Sequence, residues 1–226
     1  MKVKVLLLIL LTVLLVFPLP SQATTITFDL DVEFSGATPP QGTPPWLTAT
    51  FDDSVGPNVV RLTMSASGLI GSEFVDGAGW FFNLNPALNP NALSFSFISG
   101  NNADAISTGV NAFGADGDCY FDINFSWGAP PPDRLTAGQS AVYDISGITG
   151  LVAGDFNFFS SPGGGQGTYH TAAHVQGIGA AAQASGWIGD TNGTNGGKIP
   201  EPISLILLGS GLAGAGLYRR LRKTKI

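Results

Sequence analysis

The chain has 226 residues, 16 of them acidic and 10 basic, and a single cysteine. That length accommodates one domain with a substantial core, and one cysteine excludes an intrachain disulfide. Between residues 24 and 197 fifteen carboxylates face only Arg61 and Arg134, a balance of −13, so this acidic body repels phosphate backbones and excludes nucleic acid as a partner.

Met1-Lys2-Val3-Lys4 is basic, Val5 to Phe17 is apolar except for Thr12, and Pro18-Leu19-Pro20 breaks the run. Ser21-Gln22-Ala23 then puts small residues at the −3 and −1 positions of a cut before Thr24. Residues 1–23 read as a secretory signal peptide in preference to an N-terminal anchor.

From residue 24 the pattern is one of strands. Ile26, Phe28, Leu30, Val32 and Phe34 alternate with Thr27, Asp29, Asp31 and Glu33, the period of a half-buried strand. The same period predicts strands around Leu47–Phe51, Val60–Ala66, Trp80–Leu84, Leu93–Phe97, Cys119–Phe125, Ala141–Ile145, Asp155–Phe159 and Tyr169–Ile178. Gly, Pro, Asn and Asp clusters separate them. No 12-residue stretch carries a 3.6-residue apolar period. Eight to ten short strands in one acidic domain predict an all-β fold, an antiparallel β-sandwich of jelly-roll-like form over residues 24–188. Short edge strands and prolines are the expected guards against edge pairing. Residues 189–198 contain a Gly-Thr-Asn run without apolar side chains until the tail begins, and read as a flexible linker.

Within the body, Asp116, Asp118 and Asp122 are the candidate calcium ligands, because carboxylates two apart on a turn can converge on a hard cation. The EF-hand pattern fails, since the twelfth position from Asp116 is Trp127. A Gly-Asp turn entering a strand explains the same residues and is the preferred reading. His170 and His174 lack the Glu of a zincin motif, which has Thr171 in its place. On a strand they stand about 13 Å apart, too far for one metal, so a structural or surface role is expected. Cys119 alternates with Phe121, Ile123 and Phe125 and reads as a buried, inert thiol. Ser161 to Gly167 lacks the Lys-Ser/Thr ending of a phosphate loop. No Gly-x-Ser-x-Gly elbow is present, and no Ser/His/Asp arrangement can be assembled. Trp46, Trp80, Trp127, Trp187 and the Phe residues fall mostly on alternating apolar faces, so packing is their default use. Aromatics left exposed beside Asp and Asn would suit a sugar-binding surface.

The C-terminal stretch has three parts. Pro200-Glu201-Pro202 comes first, then the uncharged apolar run Ile203 to Leu217, then a basic end carrying Arg219, Arg220, Arg222, Lys223 and Lys225. As a helix the 15-residue run rises about 22 Å, short of the roughly 30 Å hydrocarbon core but extendable by its flanks. The basic end marks the cytoplasmic side and halts export. This layout resembles the sorting signal of bacterial PEP-CTERM proteins, with Ile199 where Val commonly precedes the Pro-Glu-Pro. The resemblance covers residues 199–226 and implies an exosortase as partner, which recognises the tail and removes it. Arg61 to Ala66, Trp80 to Pro86, Ala115 to Asp118 and Thr171 to Ile178 together resemble an extracellular domain type carried by exosortase-sorted proteins. That second resemblance brings no activity with it.

The expectation is a bacterial protein exported through the inner membrane, held there transiently by its tail, then delivered to the outer surface or the extracellular matrix. Its body is expected to be structural, adhesive or glycan-binding, with extracellular polysaccharide as partner, no catalytic residues, and no cofactor unless calcium. The alternative is a secreted hydrolase acting on that polysaccharide.

Overall fold

The computed structural model describes residues 23–190, apart from 129, 131–132, 164–166 and the side chain of Asp118. The expected signal peptide, most of the linker and the whole sorting tail lie outside the described residues.

The body is all-β and antiparallel, as expected, and no α-helix occurs among the described residues. Its strands are β1 (Thr25–Glu33), β2 (Leu47–Gly56), β3 (Val59–Ser65), β4 (Phe74–Phe82), β5 (Ser94–Gly100), β6 (Ala105–Ala115), β7 (Asp118–Ser126), β8 (Leu135–Thr136), β9 (Ser140–Ser146), β10 (Thr171–Ile178) and β11 (Ala184–Asp190). They join into one continuous sheet, in the order β5-β9-β3-β2-β1-β11-β10-β4-β7-β6, with β8 on β4. This single sheet is strongly curled, in the form of a half-barrel. Phe95 on β5 and Tyr143 on β9 meet Phe125 on β7, near the other end of the strand order, with ring centroids 5.4 and 5.1 Å apart. Such contacts exist only if the sheet rolls its ends toward each other.

Alternation explains the core. Ile26, Phe28 and Leu30 of β1, Leu47, Ala49 and Phe51 of β2, and Val60, Leu62 and Met64 of β3 all point inward and are buried. Trp80, Phe82, Ile123, Phe125, Tyr143 and Ile188 close the same cluster. Each large side chain withdrawn from water contributes about 1.5–3 kcal/mol. Register shifts supply the curl: they interrupt β1 against β11, β10 against β4, β5 against β9 and β6 against β7. A bulge bends its strand and raises the local twist.

A second, smaller cluster lies on the opposite face. Phe81 points away from its neighbours Trp80 and Phe82 and packs with Phe34, Phe121, Tyr169, Ala172 and Cys119. Trp187 leans on Phe81 at 5.2 Å. Cys119 is buried as expected, but the apolar residues of β7 are divided. Cys119 and Phe121 serve this outer cluster, while Ile123 and Phe125 serve the main core. β7 changes allegiance opposite the β6 bulge, where twist is strongest.

The structure departs from the sequence reading at four places. Asp155–Phe159 is not a strand: Ala153–Phe156 forms a short 3-10 turn, fastened by Asp155, whose carboxylate accepts from Val152 N at 3.1 Å. β6 and β11 escaped the alternation count because Gly109, Asn111, Gly114, Gly186 and Gly189 interrupt it. β11 runs through Asp190, so the first two residues of the expected linker belong to the sheet. Finally, the edge strands β5 and β6 contain no charge and no proline. Bulges at Ile98 and at residues 109–112 guard them instead.

Candidate functional site

The β6 bulge builds one wall of a cleft. Asn111 adopts φ +49° there, and Val110 is thrown outward, 67% exposed. The opposite wall is the segment leaving β4, Asn83 to Pro90, and residues 158–161 form the third side. The cleft measures about 240 Å³.

Asp122 at its floor joins two of these walls. Its Oδ2 accepts from Leu84 N at 3.0 Å and its Oδ1 from Asn111 N at 2.8 Å. Asn83 donates from Nδ2 to the carbonyls of Tyr169 and His170, at 3.3 and 3.4 Å. Tyr120 and Ser161 exchange two backbone hydrogen bonds, 2.8 and 2.9 Å, which ties the third wall to β7.

An aromatic ring stands at the mouth. Phe159 is 48% exposed, with its centroid 4.0 Å from that of His170. The other face of His170 stacks on buried Phe28 at 5.0 Å and 17°. The imidazole is held edgewise by Asp190, whose Oδ2 lies 2.7 Å from Nδ1. The Asp190 Oδ1 accepts from His170 N at 2.8 Å and Thr171 N at 3.2 Å. Phe159 is therefore an exposed ring resting on a fixed, buried imidazole. Tyr120, 40% exposed, stands on the neighbouring strand β7.

The other histidine is used similarly. His174 Nδ1 lies 2.9 Å from Asp76 Oδ1, on the outer face of β10 beside Trp187. Asp76 also accepts from Ala78 N and from Gln176 Nε2. Three residues of β4 beyond the normal register are absorbed there, between Val75 opposite Val175 and Trp80 opposite Ala173, and the Asp76 carboxylate closes that bulge. The two histidines thus have structural partners, as the sequence reading expected of their role. Those partners, 20 and 98 residues away, carry no sequence signal.

The three candidate calcium ligands are placed unequally. Asp122 is buried and its two oxygens are engaged by backbone amides. Asp116 sits exposed at φ +53°, in the turn between β6 and β7. The side chain of Asp118 lies outside the described residues. A larger hollow of about 420 Å³ is lined by Ala23, Asp53, Asn58, Gly150 and Val152 among others, with no aromatic ring. Its Asp53 already accepts from Thr24 N and Ala153 N.

Residues 198–223 match the family model of the PEP-CTERM protein-sorting motif. The chain carries a PEP-CTERM sorting motif. That motif points to an exported protein targeted to an exosortase for processing. No curated protein and no solved structure matches the chain. Of the residues singled out in the sequence, Pro200, Glu201, Pro202, Arg219, Arg220, Arg222 and Lys223 fall within the matched range and Lys225 falls beyond it.

Proposed function

We propose that this PEP-CTERM protein is a component of the outer cell surface or extracellular matrix, and that its body binds glycan there without cleaving it. The supporting observation is Phe159: an exposed ring, backed by His170 and set beside a cleft containing Asn83, Asn111 and Asp122. A flat aromatic face beside amide and hydroxyl groups offers a sugar both a stacking surface and hydrogen-bond partners. The absence of catalysis is supported by how the cleft uses its carboxylate. Asp122 spends both oxygens on Leu84 N and Asn111 N, whereas a glycosidase needs two carboxyls facing the scissile bond.

The test is incubation of the full-length protein, in detergent, with exopolysaccharide from the producing cells. Retention on the polysaccharide with no new reducing ends is the expected result. New reducing ends that vanish when Asp122 is changed to Asn would favour the hydrolase reading.

A further inference from the structure

Within the glycan-binding reading, the cleft restricts the ligand in charge and in length. Charge comes first. Among the described residues the basic side chains are Arg61 and Arg134, and neither lines the cleft. Arg61 makes a bidentate pair with Asp144, 2.8 and 2.9 Å, between β3 and β9. Arg134 lies over the ring of Phe74 at 4.0 Å. Recognition of carboxylated, sulfated or phosphorylated sugars relies on Arg or Lys. The cleft instead presents Asp122 inside a strongly acidic body, whose field repels anions over about a Debye length, roughly 8 Å at physiological ionic strength. Length comes second. The cleft volume of about 240 Å³ lies below the roughly 300 Å³ at which sites for drug-sized ligands begin. Of the two aromatics that line it, Phe158 and Phe159, Phe159 is the exposed one and the one backed by His170.

We infer that the cleft takes a single uncharged sugar residue, a chain end or a protruding branch of a neutral glycan, with its apolar face stacked on Phe159. The sugar's C–H groups meet the electron-rich face of the ring, and its hydroxyls meet the side-chain amide of Asn111 and the hydroxyl of Ser161. His170 serves as a positioning residue: pinned by Asp190 and Phe28, it keeps the Phe159 ring from collapsing inward.

The test is saturation-transfer NMR with full-length protein in detergent. The probes are neutral hexoses, pentoses and N-acetylhexosamines, their linear oligomers of two to six residues, and oligouronates of the same lengths. The expected result is binding by at least one neutral sugar, with affinity reaching its plateau at one or two residues. Phe159→Ala should lower that affinity at least tenfold while the protein stays folded at the assay temperature, and Phe159→Trp should retain it. Affinity still rising from two to six residues would overturn the single-residue inference. Binding confined to the oligouronates would overturn neutrality while leaving glycan binding standing. No binding by any probe would remove both the inference and the reading on which it rests. A Phe159→Ala protein that binds as well as wild type would show that the platform has been misplaced.

Discussion

Carboxylates are the staples of this body. It has almost no basic side chains to pair them with, so backbone amides take that place. Glu73, only 1% exposed, accepts from Gln41 N at 2.6 Å and Ile70 N at 2.9 Å. Asp53, Asp76, Asp122 and Asp190 each hold loops or strand ends in the same way. A sequence count registers such residues only as negative charge, because their partners are main-chain groups distant in sequence. Replacing Asp122 by Ala should cost about 1–3 kcal/mol of stability, since Leu84 N and Asn111 N would be left without partners. Chemical denaturation with an unchanged m-value would check it. Tyr143 gives a second residue-scale expectation. Burial raises its pKa above the ordinary value of 10.0, against the opposing effect of the hydrogen bond from Ala103 N. The folded state therefore holds this proton where the unfolded chain releases it. Its stabilising contribution is full below about pH 10 and is lost as pH rises through the folded-state pKa. Melting temperature should fall above pH 10, and Tyr143→Phe should flatten that fall while lowering stability at neutral pH. An equally steep alkaline limb in the variant would refute the assignment.

At the scale of elements, the regular strands were legible and the irregular ones were not. β3 and β9 alternate throughout, and β1 and β2 over their first six residues, because there each has one face in the core and one turned outward. β6 and β11 hide behind glycines, and the bulge that shapes the cleft cannot be seen in a period-2 count. Neither can the stack of Phe28, His170 and Phe159, which joins β1, the start of β10 and a loop. The sequence reading did identify what to look for, an exposed aromatic beside Asp and Asn, but not which ring would remain exposed. Bulges also guard the edges of this sheet against pairing with another chain. β5 reads Ser-Phe-Ser-Phe-Ile-Ser-Gly, with no charge to discourage pairing, and the register breaks between Phe97 and Ser99. Deleting Ile98 removes the extra residue and straightens an uncharged outer edge. The variant should self-associate, seen as a concentration-dependent rise in mass by light scattering, while wild type stays unchanged over the same range. Gly177 is similarly constrained. At φ +74°, with the Ser72 carbonyl where a Cβ would stand, it tolerates no side chain.

At the scale of the whole molecule, charge separates the chain into a body and an address. The body keeps two arginines, and most of the remaining basic residues cluster after the apolar run of the tail. The body ends where Asp190 clamps the mouth of the β10–β11 hairpin, and the sorting motif begins at residue 198. Seven residues of sequence, 191–197, separate the two. Glu201 lies between two prolines, each fixing its own φ, and Pro202 disfavours the α region at Glu201. The small residues Gly209, Ser210, Gly211, Ala213, Gly214, Ala215 and Gly216 allow another helix to approach closely. Arg219 to Lys225 do not readily cross the bilayer. The mature protein should accordingly lack the residues beyond about Pro202. Replacing Pro200-Glu201-Pro202 with three alanines should leave a full-length form in the inner membrane, whereas deleting Arg219–Ile226 should release unprocessed protein. Intact-mass analysis of surface-extracted protein distinguishes these outcomes. Wild-type protein that keeps Tyr218 to Ile226 at the surface would show that the tail is a permanent anchor, and that the body reaches its position without being cut free.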